Sequence, residues 1–326
     1  MREPMWKKNF RNLFVTNDES SMAEAFALKK KFMPKVLYRY RPLNNSQQMD
    51  YVLSELCNGE VYLAHVNEMN DPFEASTIVK RVSLENSKTY KFVCETCFRC
   101  FMTAEDFENV FNSTNWKKKL RTYVSNSTDD IIKAIYNEID MTLKTEVMSK
   151  AEQGRDNINQ LTKEVFRIAC FTEKSNNLPM WTHYATGHAG ICFEYNISDL
   201  NDSLVERLFP VFYRKELPDL IGNYIDSGKV EKGFTESIVM TKLMEWSYEK
   251  EWRLIIATEK LYENTEYLPV DVATKGKIIN FTRPSKVILG YKIGKAHELL
   301  FRKMGEEMGI QVVKMTCSSV GLKEAF

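Results

Sequence analysis

Apolar and polar residues alternate in several short stretches of the chain, and this period of two predicts β-strands. Residues 36–41, with the sequence Val-Leu-Tyr-Arg-Tyr-Arg, are the clearest example, because successive strand residues point to opposite faces of a sheet. Comparable stretches predict further strands at 60–64, 167–173, 191–195, 211–213, 249–257, 286–290 and 310–314.

Helical spacing of apolar residues predicts helices between these strands. Ser46 is expected to cap one helix, which Asn58-Gly59 ends, and others are predicted at 179–184, 233–246 and 294–308. Residues 1–34 are predicted to form a helical lead-in, and residues from about 85 to 165 a helical insertion. The predicted fold class is α+β, with a mixed, mostly antiparallel sheet core and flanking helices, in a single domain over 35–326.

Composition limits the function classes. The 326 residues include 45 basic and 44 acidic side chains, a net charge of +1, which argues against a generally basic nucleic-acid binder. The sequence contains no apolar run long enough for a membrane span and begins without an apolar signal core. We therefore expect a cytoplasmic protein, no membrane partner, and seven cysteines present as reduced thiols.

The most informative segment is 246–256, where two carboxylates precede an apolar strand. On a strand over these residues the apolar side chains share one face, while Glu249, Glu251 and Arg253 share the other. Burial in such a row shifts protonation equilibria, so the segment predicts a functional site. Taken alone, the two glutamates are better explained as a surface carboxylate pair.

Six short motifs occur together in chain order. They are Leu-Tyr-Arg-Tyr-Arg at 37–41, Asn-Asp-Pro-Phe-Glu at 70–74, Cys-Phe-Thr-Glu at 170–173, Met-Trp-Thr-His-Tyr at 180–184, Gly-His-Ala-Gly-Ile at 187–191 and Tyr-Glu-Lys-Glu-Trp-Arg at 248–253. Over about 36–315 this set resembles a widespread bacterial family known as domain of unknown function 2971. That resemblance implies no reaction.

A more distant similarity implies a reaction. A strand with Tyr followed by a basic residue, then a helix and a short strand, is similar to the start of the ADP-ribosyltransferase family. The resemblance implies that Arg39, with Arg41 beside it, grips NAD and that Glu251 is the catalytic acid with Glu249 as its partner. Thr172 or Tyr184 would take the place of that family's middle Ser or Tyr.

The chemistry of these residue types agrees with that assignment. A carboxylate stabilises the positive charge that develops on ribose when nicotinamide leaves, arginines bind pyrophosphate, and aromatic rings stack on a planar base. The predicted catalytic residues are Glu251 and Glu249. The predicted residues that bind the nucleotide are Arg39, Arg41, Tyr38, Tyr40, Asp71, Glu74, Thr172, Trp181, His183, Tyr184 and Arg253.

No metal is expected. Cys94, Cys97 and Cys100 supply three thiols without an obvious fourth ligand. Neither a Gly-x-Ser-x-Gly elbow nor a Gly-x-Gly-x-x-Gly motif is present, so the sequence predicts neither a serine hydrolase of that type nor dinucleotide binding of the Rossmann type.

Three functional hypotheses follow. The first is an NAD-consuming bacterial effector, an ADP-ribosyltransferase or NAD glycohydrolase in phage defence or a toxin system, with a protein or nucleic acid as possible acceptor. The second is a non-catalytic sensor that binds a nucleotide or a partner, in which the Glu and Arg residues form a structural ion network. The third is a metal-dependent nuclease using Asp71, Glu74, Glu249 and Glu251. The sequence leaves the acceptor, the oligomeric state and the activating trigger open.

Overall fold

A computed structural model describes residues 3–16, 18–220, 237–257, 277–319 and 321–325. The chain divides into two compact units. The first consists of 1–75, 161–217 and 236–326, and the second of 76–160 and 218–235. The first unit carries a mixed, mostly antiparallel sheet and flanking helices, which confirms the predicted α+β class. None of the helices in the described segments is long and apolar enough to cross a membrane.

The strands all belong to the first unit. They are β1 (Val36–Arg41), β2 (Glu60–His65), β3 (Phe166–Thr172), β4 (Ile191–Asn196), β5 (Leu208–Pro210), β6 (Phe212–Arg214), β7 (Thr241–Leu243), β8 (Glu251–Ala257), β9 (Lys277–Asn280), β10 (Lys286–Leu289), β11 (Gln311–Ser318) and β12 (Gly321–Ala325). The helices of this unit are α1 (Met5–Thr16), α2 (Glu19–Phe32), α3 (Ser46–Asn58), α10 (Leu178–Tyr184), α11 (Asp202–Glu206) and α12 (Lys295–Met308). Short 3-10 turns cover Val66–Glu68, Ile197–Asp199 and Met244–Glu249.

Strand β3 is the centre of the sheet. It pairs with β8 along its whole length and, on its other edge, with β2 at Arg167 and Ile168 and with β1 at Thr172. Strands β4, β10, β11 and β12 extend the sheet beyond β1, β9 extends it beyond β2, and β5 pairs with β8. Only the β10–β11 pair of this sheet is parallel among the described strands, and β6 and β7 form a separate parallel pair.

The two faces of the sheet carry different cores. One face packs an extended apolar cluster that includes Leu37, Phe171 and Trp252. A second cluster packs on the other face. It includes Tyr40, which points to the opposite side of β1 from Leu37, and Trp181 of helix α10. This arrangement follows from the strand period of two, and it decides which candidate site residues can meet.

Helix α3 shows how local sequence determines an element. Its bounds agree with the prediction, but its N-cap is Asn45 rather than Ser46, because the Asn45 side chain accepts a hydrogen bond from the Gln48 N–H. The helix ends at Gly59 with φ 68°, where a Cβ would lie 2.9 Å from the Arg283 backbone nitrogen. Glycine is therefore required there by both conformation and space.

The second unit is helical. It contains α4 (Arg81–Asn86), α5 (Lys88–Phe98), α6 (Ala104–Phe111), α7 (Trp116–Asn126), α8 (Asp130–Thr142), a π-helical turn (Leu143–Val147) and most of α9 (Met148–Val165). Its core is built on Phe98, Phe111, Leu120 and Ile132. The predicted helical insertion of about 85–165 corresponds to this region, which here begins at 76 and ends at 160.

Two elements differ from the prediction. Residues 233–236 of the predicted helix 233–246 lie outside the described residues, and the remainder forms a short helical turn, β7 and a 3-10 turn. The helix prediction is wrong there because Thr241, Lys242 and Leu243 pair with β6. Strand β8 begins at Glu251 rather than Glu249, since Lys250 adopts a left-handed conformation with φ 50°.

Candidate functional site

The entrance of β8 lies next to the centre of the sheet. Tyr38 of β1 pairs with Thr172 of β3, which pairs with Glu251 of β8. Directly paired residues of antiparallel strands project from the same face, so these three side chains form a row. Arg39 projects from the other face, where its guanidinium lies 5.5 Å from the ring centroid of Phe171.

Arg253 is the most completely bound side chain of the site. It is fully buried, and all five of its N–H donors have acceptors. Its Nε donates to Glu251 Oε1 at 2.8 Å and its Nη2 to Glu251 Oε2 at 3.1 Å. The other donors bind both carboxylate oxygens of Glu74 and the Val239 carbonyl. Two bidentate carboxylates on one guanidinium make a rigid arrangement.

Lys242 joins the two glutamates of the predicted site. Its ammonium donates to Glu249 Oε2 at 2.7 Å and to Glu251 Oε2 at 3.4 Å. It also lies 4.6 Å from the ring centroid of Trp246, a distance at which a cation and an aromatic face attract each other. The two carboxylates therefore share one buried cation.

The charges of this cluster do not balance if every group is ionised. Three carboxylates, Glu74, Glu249 and Glu251, face two cations, Lys242 and Arg253, and all five are buried. An excess negative charge in a low dielectric favours the uptake of one proton. The protonation equilibria indicate which carboxylate takes it.

The pKa values of the two neighbouring glutamates move in opposite directions. Burial and repulsion by Glu251 raise the pKa of Glu249 above its usual value, more than Lys242 lowers it. Burial also acts to raise the pKa of Glu251, but attraction by Arg253 and Lys242 outweighs it and lowers the value to about 2. Glu251 is therefore held ionised, and Glu249 is the carboxylate that takes up a proton most readily.

Tyr184 connects Glu249 to the surface. Its hydroxyl donates to Glu249 Oε1 at 2.6 Å and accepts from the Asn70 side chain at 3.3 Å. Tyr184 is half-buried and Asn70 is exposed, so solvent approaches the cluster from this side. Burial and the neighbouring Glu249 raise the pKa of Tyr184, which keeps its hydroxyl protonated as a donor.

Left-handed backbone conformations flank the charged residues. Lys250, between the two glutamates, has φ 50°, and Ala75, directly after Glu74, has φ 49°. Thr186 and His188, which follow helix α10 and Tyr184, have φ 52° and 73°. Non-glycine residues in this region are strained, and such strain is concentrated at functional sites.

Several other predicted residues lie on the same face as Glu251 or beside it. The Thr172 hydroxyl donates to the Glu249 carbonyl, and the rings of Tyr40 and Trp181 contact each other edge to face, with centroids 5.1 Å apart. The Asp71 carboxylate accepts from the N–H of Phe73, which stabilises the loop before Glu74. His183 is exposed beside Tyr184.

Arg39 and Arg41 are not brought together with the glutamate pair. They lie on the opposite face of the sheet, with their Nε atoms 3.4 Å and 3.5 Å from the carboxylate of buried Glu55 in α3. Arg39 also donates to the Tyr62 carbonyl at 2.9 Å. The physical reason is the strand period, which directs Arg39 and Arg41 away from the face that carries Tyr38 and Tyr40.

Two residues of the site were not predicted. Lys242 was placed in a helix, and Tyr213, whose hydroxyl accepts from the Glu251 N–H at 2.8 Å, was assigned only to a strand. The local sequence of Lys242 contains no signal for a buried cation.

Cysteine thiols and carboxylates are the candidate metal ligands of this chain. Among the residues that the structure describes, no group of three or more His, Cys, Asp or Glu side chains is arranged to hold a metal ion. Glu74 and Glu251 are turned toward Arg253. On helix α5 of the second unit, Cys94 is buried and Cys97 is half-buried, and Cys100, two residues after the helix, is exposed.

Part of the chain matches a known sequence family. Residues 180–254 match the sequence model described as "Protein of unknown function (DUF2971)". Over these residues, the match agrees with the resemblance to that family described above. The matched region contains Tyr184, Lys242, Glu249, Glu251 and Arg253. The comparisons with curated proteins and with solved structures each gave no significant match.

Proposed function

We propose that the protein is an enzyme that cleaves the bond between nicotinamide and ribose in NAD, as an ADP-ribosyltransferase or NAD glycohydrolase. The observation that carries this proposal is the pair of adjacent buried carboxylates whose pKa values are moved in opposite directions. Such pairs divide the roles of proton carrier and fixed charge between two otherwise identical groups.

The different surroundings of Glu249 and Glu251 give the two carboxylates different roles in the proposed reaction. The C1′–N bond breaks, its electron pair goes to the nicotinamide ring, and positive charge develops on ribose. Ionised Glu251 stabilises that charge through the field of the site. In its ionised form Glu249 is the stronger base of the pair, because its pKa is raised. This form accepts the proton of the attacking water or acceptor hydroxyl as its oxygen bonds to C1′, and Tyr184 orients Glu249 by its 2.6 Å hydrogen bond.

The proposal does not require Arg39 and Arg41 in the reaction site. Their pairing with Glu55 occupies the other face of the sheet. Tyr38 and Tyr184 remain the candidates for contacts with the nucleotide, because they are half-buried and lie on the face of Glu251 or beside Glu249. Thr172 and Trp181 pack on the same side of the sheet but are fully buried.

A turnover assay tests the proposal. Purified protein is incubated with NAD, and nicotinamide and ADP-ribose are quantified together, with Glu249→Gln compared against Glu245→Gln. Glu245 is exposed in the same 3-10 turn, so it controls for the loss of one carboxylate. We expect Glu249→Gln to slow nicotinamide release by about 10²–10⁴-fold and Glu245→Gln to leave it unchanged. Equal rates in the two variants would contradict the role of Glu249.

The fate of ADP-ribose distinguishes the two reactions. Free ADP-ribose indicates hydrolysis, whereas attachment to protein or nucleic acid in a bacterial lysate indicates transfer. Following the family resemblance, we assign the activity to a bacterial, cytoplasmic effector in phage defence or a toxin system. Growth arrest on expression, relieved by Glu249→Gln, is the expected result, and unaffected growth with full NAD turnover would refute the effector role.

A non-catalytic sensor is the second candidate. The observation in its favour is the complete satisfaction of Arg253 by Glu74, Glu251 and the Val239 carbonyl, which is what a structural ion network requires. Mass spectrometry of nucleotides that copurify with the protein separates the candidates. A nucleotide retained intact by a protein that releases no nicotinamide would support the sensor.

A further inference from the structure

A cavity lies in the first unit, on the side of β8 where helix α1 begins. Its volume is about 230 Å³. Trp6 and Phe32 line it as a pair of stacked rings with centroids 5.3 Å apart, and Lys7 and Tyr213 line it as well. This volume is below the ~300–1,000 Å³ of most ligand pockets, so a ligand there must be small.

Lys7 is the unusual group of this cavity. The residue is only 7% exposed, and its ammonium makes one hydrogen bond, at 3.3 Å, to the Val211 carbonyl. An ammonium has three donors, and across the described segments none of those of Lys7 reaches a carboxylate in a salt bridge. Burial lowers the pKa of Lys7 more than attraction by Glu173 and Glu3 raises it, as expected for a buried cation without a direct ion pair.

The carboxylates that line the cavity are already bound. Glu3 accepts from the Arg11 guanidinium at 2.9 Å, and Glu173 accepts from the Trp252 indole N–H at 2.9 Å. They do not neutralise Lys7 directly. The first turn of the twelve-residue helix α1, which carries Trp6 and Lys7, also lines the cavity together with Pro4 directly before it. The positive end of the helix dipole favours an anion there.

We propose that this cavity binds a small aromatic carboxylate, with its anionic group on Lys7 and its ring against Trp6 and Phe32. One unpaired cation matches a monoanion, and the stacked rings match a planar apolar body. Binding would replace the missing partner of Lys7 and restore the hydrogen bonds of its ammonium. The site goes beyond the proposed NAD chemistry and does not depend on it.

Two residues that line the cavity are directly connected to the glutamate pair. Tyr213 lines the cavity and accepts the Glu251 N–H, and Lys250 lines it between the two glutamates. Ligand binding to this cavity is measured without NAD. Failure of the NAD assay and failure of this proposal therefore give separate results.

The test compares benzoate with benzamide, which has the same shape but no charge. Calorimetric titration and thermal melting are carried out on the full chain, on Lys7→Met and on Lys8→Met. Lys8 is exposed on the next position of α1 and does not line the cavity, so its replacement changes the net charge equally.

The expected result has two parts. Benzoate, but not benzamide, binds the wild type and Lys8→Met and raises their melting temperatures, while Lys7→Met loses at least about tenfold in affinity. Without ligand, Lys7→Met melts at or above the wild-type temperature, because it removes a buried cation without a carboxylate partner. Equal binding of benzoate by Lys7→Met, equal binding of benzamide, or no binding to the wild type would overturn the proposal.

Discussion

Replacement of Glu251 by glutamine is the sharpest test of the charged cluster. The variant keeps the size of the side chain but removes its charge. Arg253 and Lys242 then each lose an ionised partner, at 2.8 Å and 3.4 Å, in a fully buried environment. Arg253 keeps Glu74 and Lys242 keeps Glu249, so the cost of the variant comes from the buried ion pairs that Glu251 itself makes and not from a cation left alone.

The magnitude follows from the pKa. Lowering the Glu251 pKa from 4.5 to about 2 corresponds to about 3.5 kcal/mol of folding free energy, since each pKa unit of difference is worth about 1.4 kcal/mol. Breaking one side of a buried ion pair costs about 3–5 kcal/mol in other proteins. We therefore expect Glu251→Gln to lose about 3 kcal/mol at pH 7.

Glu249→Gln is the matched variant two residues away. Burial already disfavours the charge of Glu249. The amide oxygen of glutamine accepts from Lys242, and its NH2 group donates to the Tyr184 hydroxyl, which accepts in place of donating. Its expected cost is below about 1 kcal/mol.

Urea unfolding followed by tryptophan fluorescence and far-ultraviolet circular dichroism measures both variants. A loss below about 1 kcal/mol for Glu251→Gln, the range of an exposed ion pair, would refute the reasoning. So would equal losses for the two glutamates.

Three further predictions concern stability. Glu251, with its lowered pKa, stabilises the fold above about pH 4.5, and this contribution is lost as pH falls through about 2; urea midpoints between pH 5 and 2 should fall less steeply in Glu251→Gln. Glu55→Gln leaves two buried arginines of β1 without a carboxylate and should cost about 3 kcal/mol or more by urea unfolding, so an unchanged midpoint would contradict the pairing. Gly290→Ala would place a Cβ 2.1 Å from the His188 carbonyl oxygen, whereas a Cβ at helical Gly154 meets nothing within 4 Å; melting should show marked destabilisation for the first and slight stabilisation for the second.

Much of the first unit was predictable because its signals are local. Helix α3 between Asn45 and Gly59, the alternating β1 and the α10 helix follow from caps, turns and periodicity that act over a few residues. The segment around Lys242 was mispredicted because its β7 conformation depends on pairing with β6, some thirty residues earlier in the chain. Local propensity contains no information about such a partner.

The candidate site also combines features that the sequence determines with features that depend on the tertiary structure. The sequence alone determined that Glu251 and Arg253 share one face of a strand, because side-chain direction follows directly from the strand period. Only the tertiary structure decided that Glu74 and Lys242 complete the cluster, and that Arg39 and Arg41 bind Glu55 on the other face. Strand order and register determine these long-range neighbours, and through burial and nearby charge those neighbours set the opposite pKa shifts of Glu249 and Glu251.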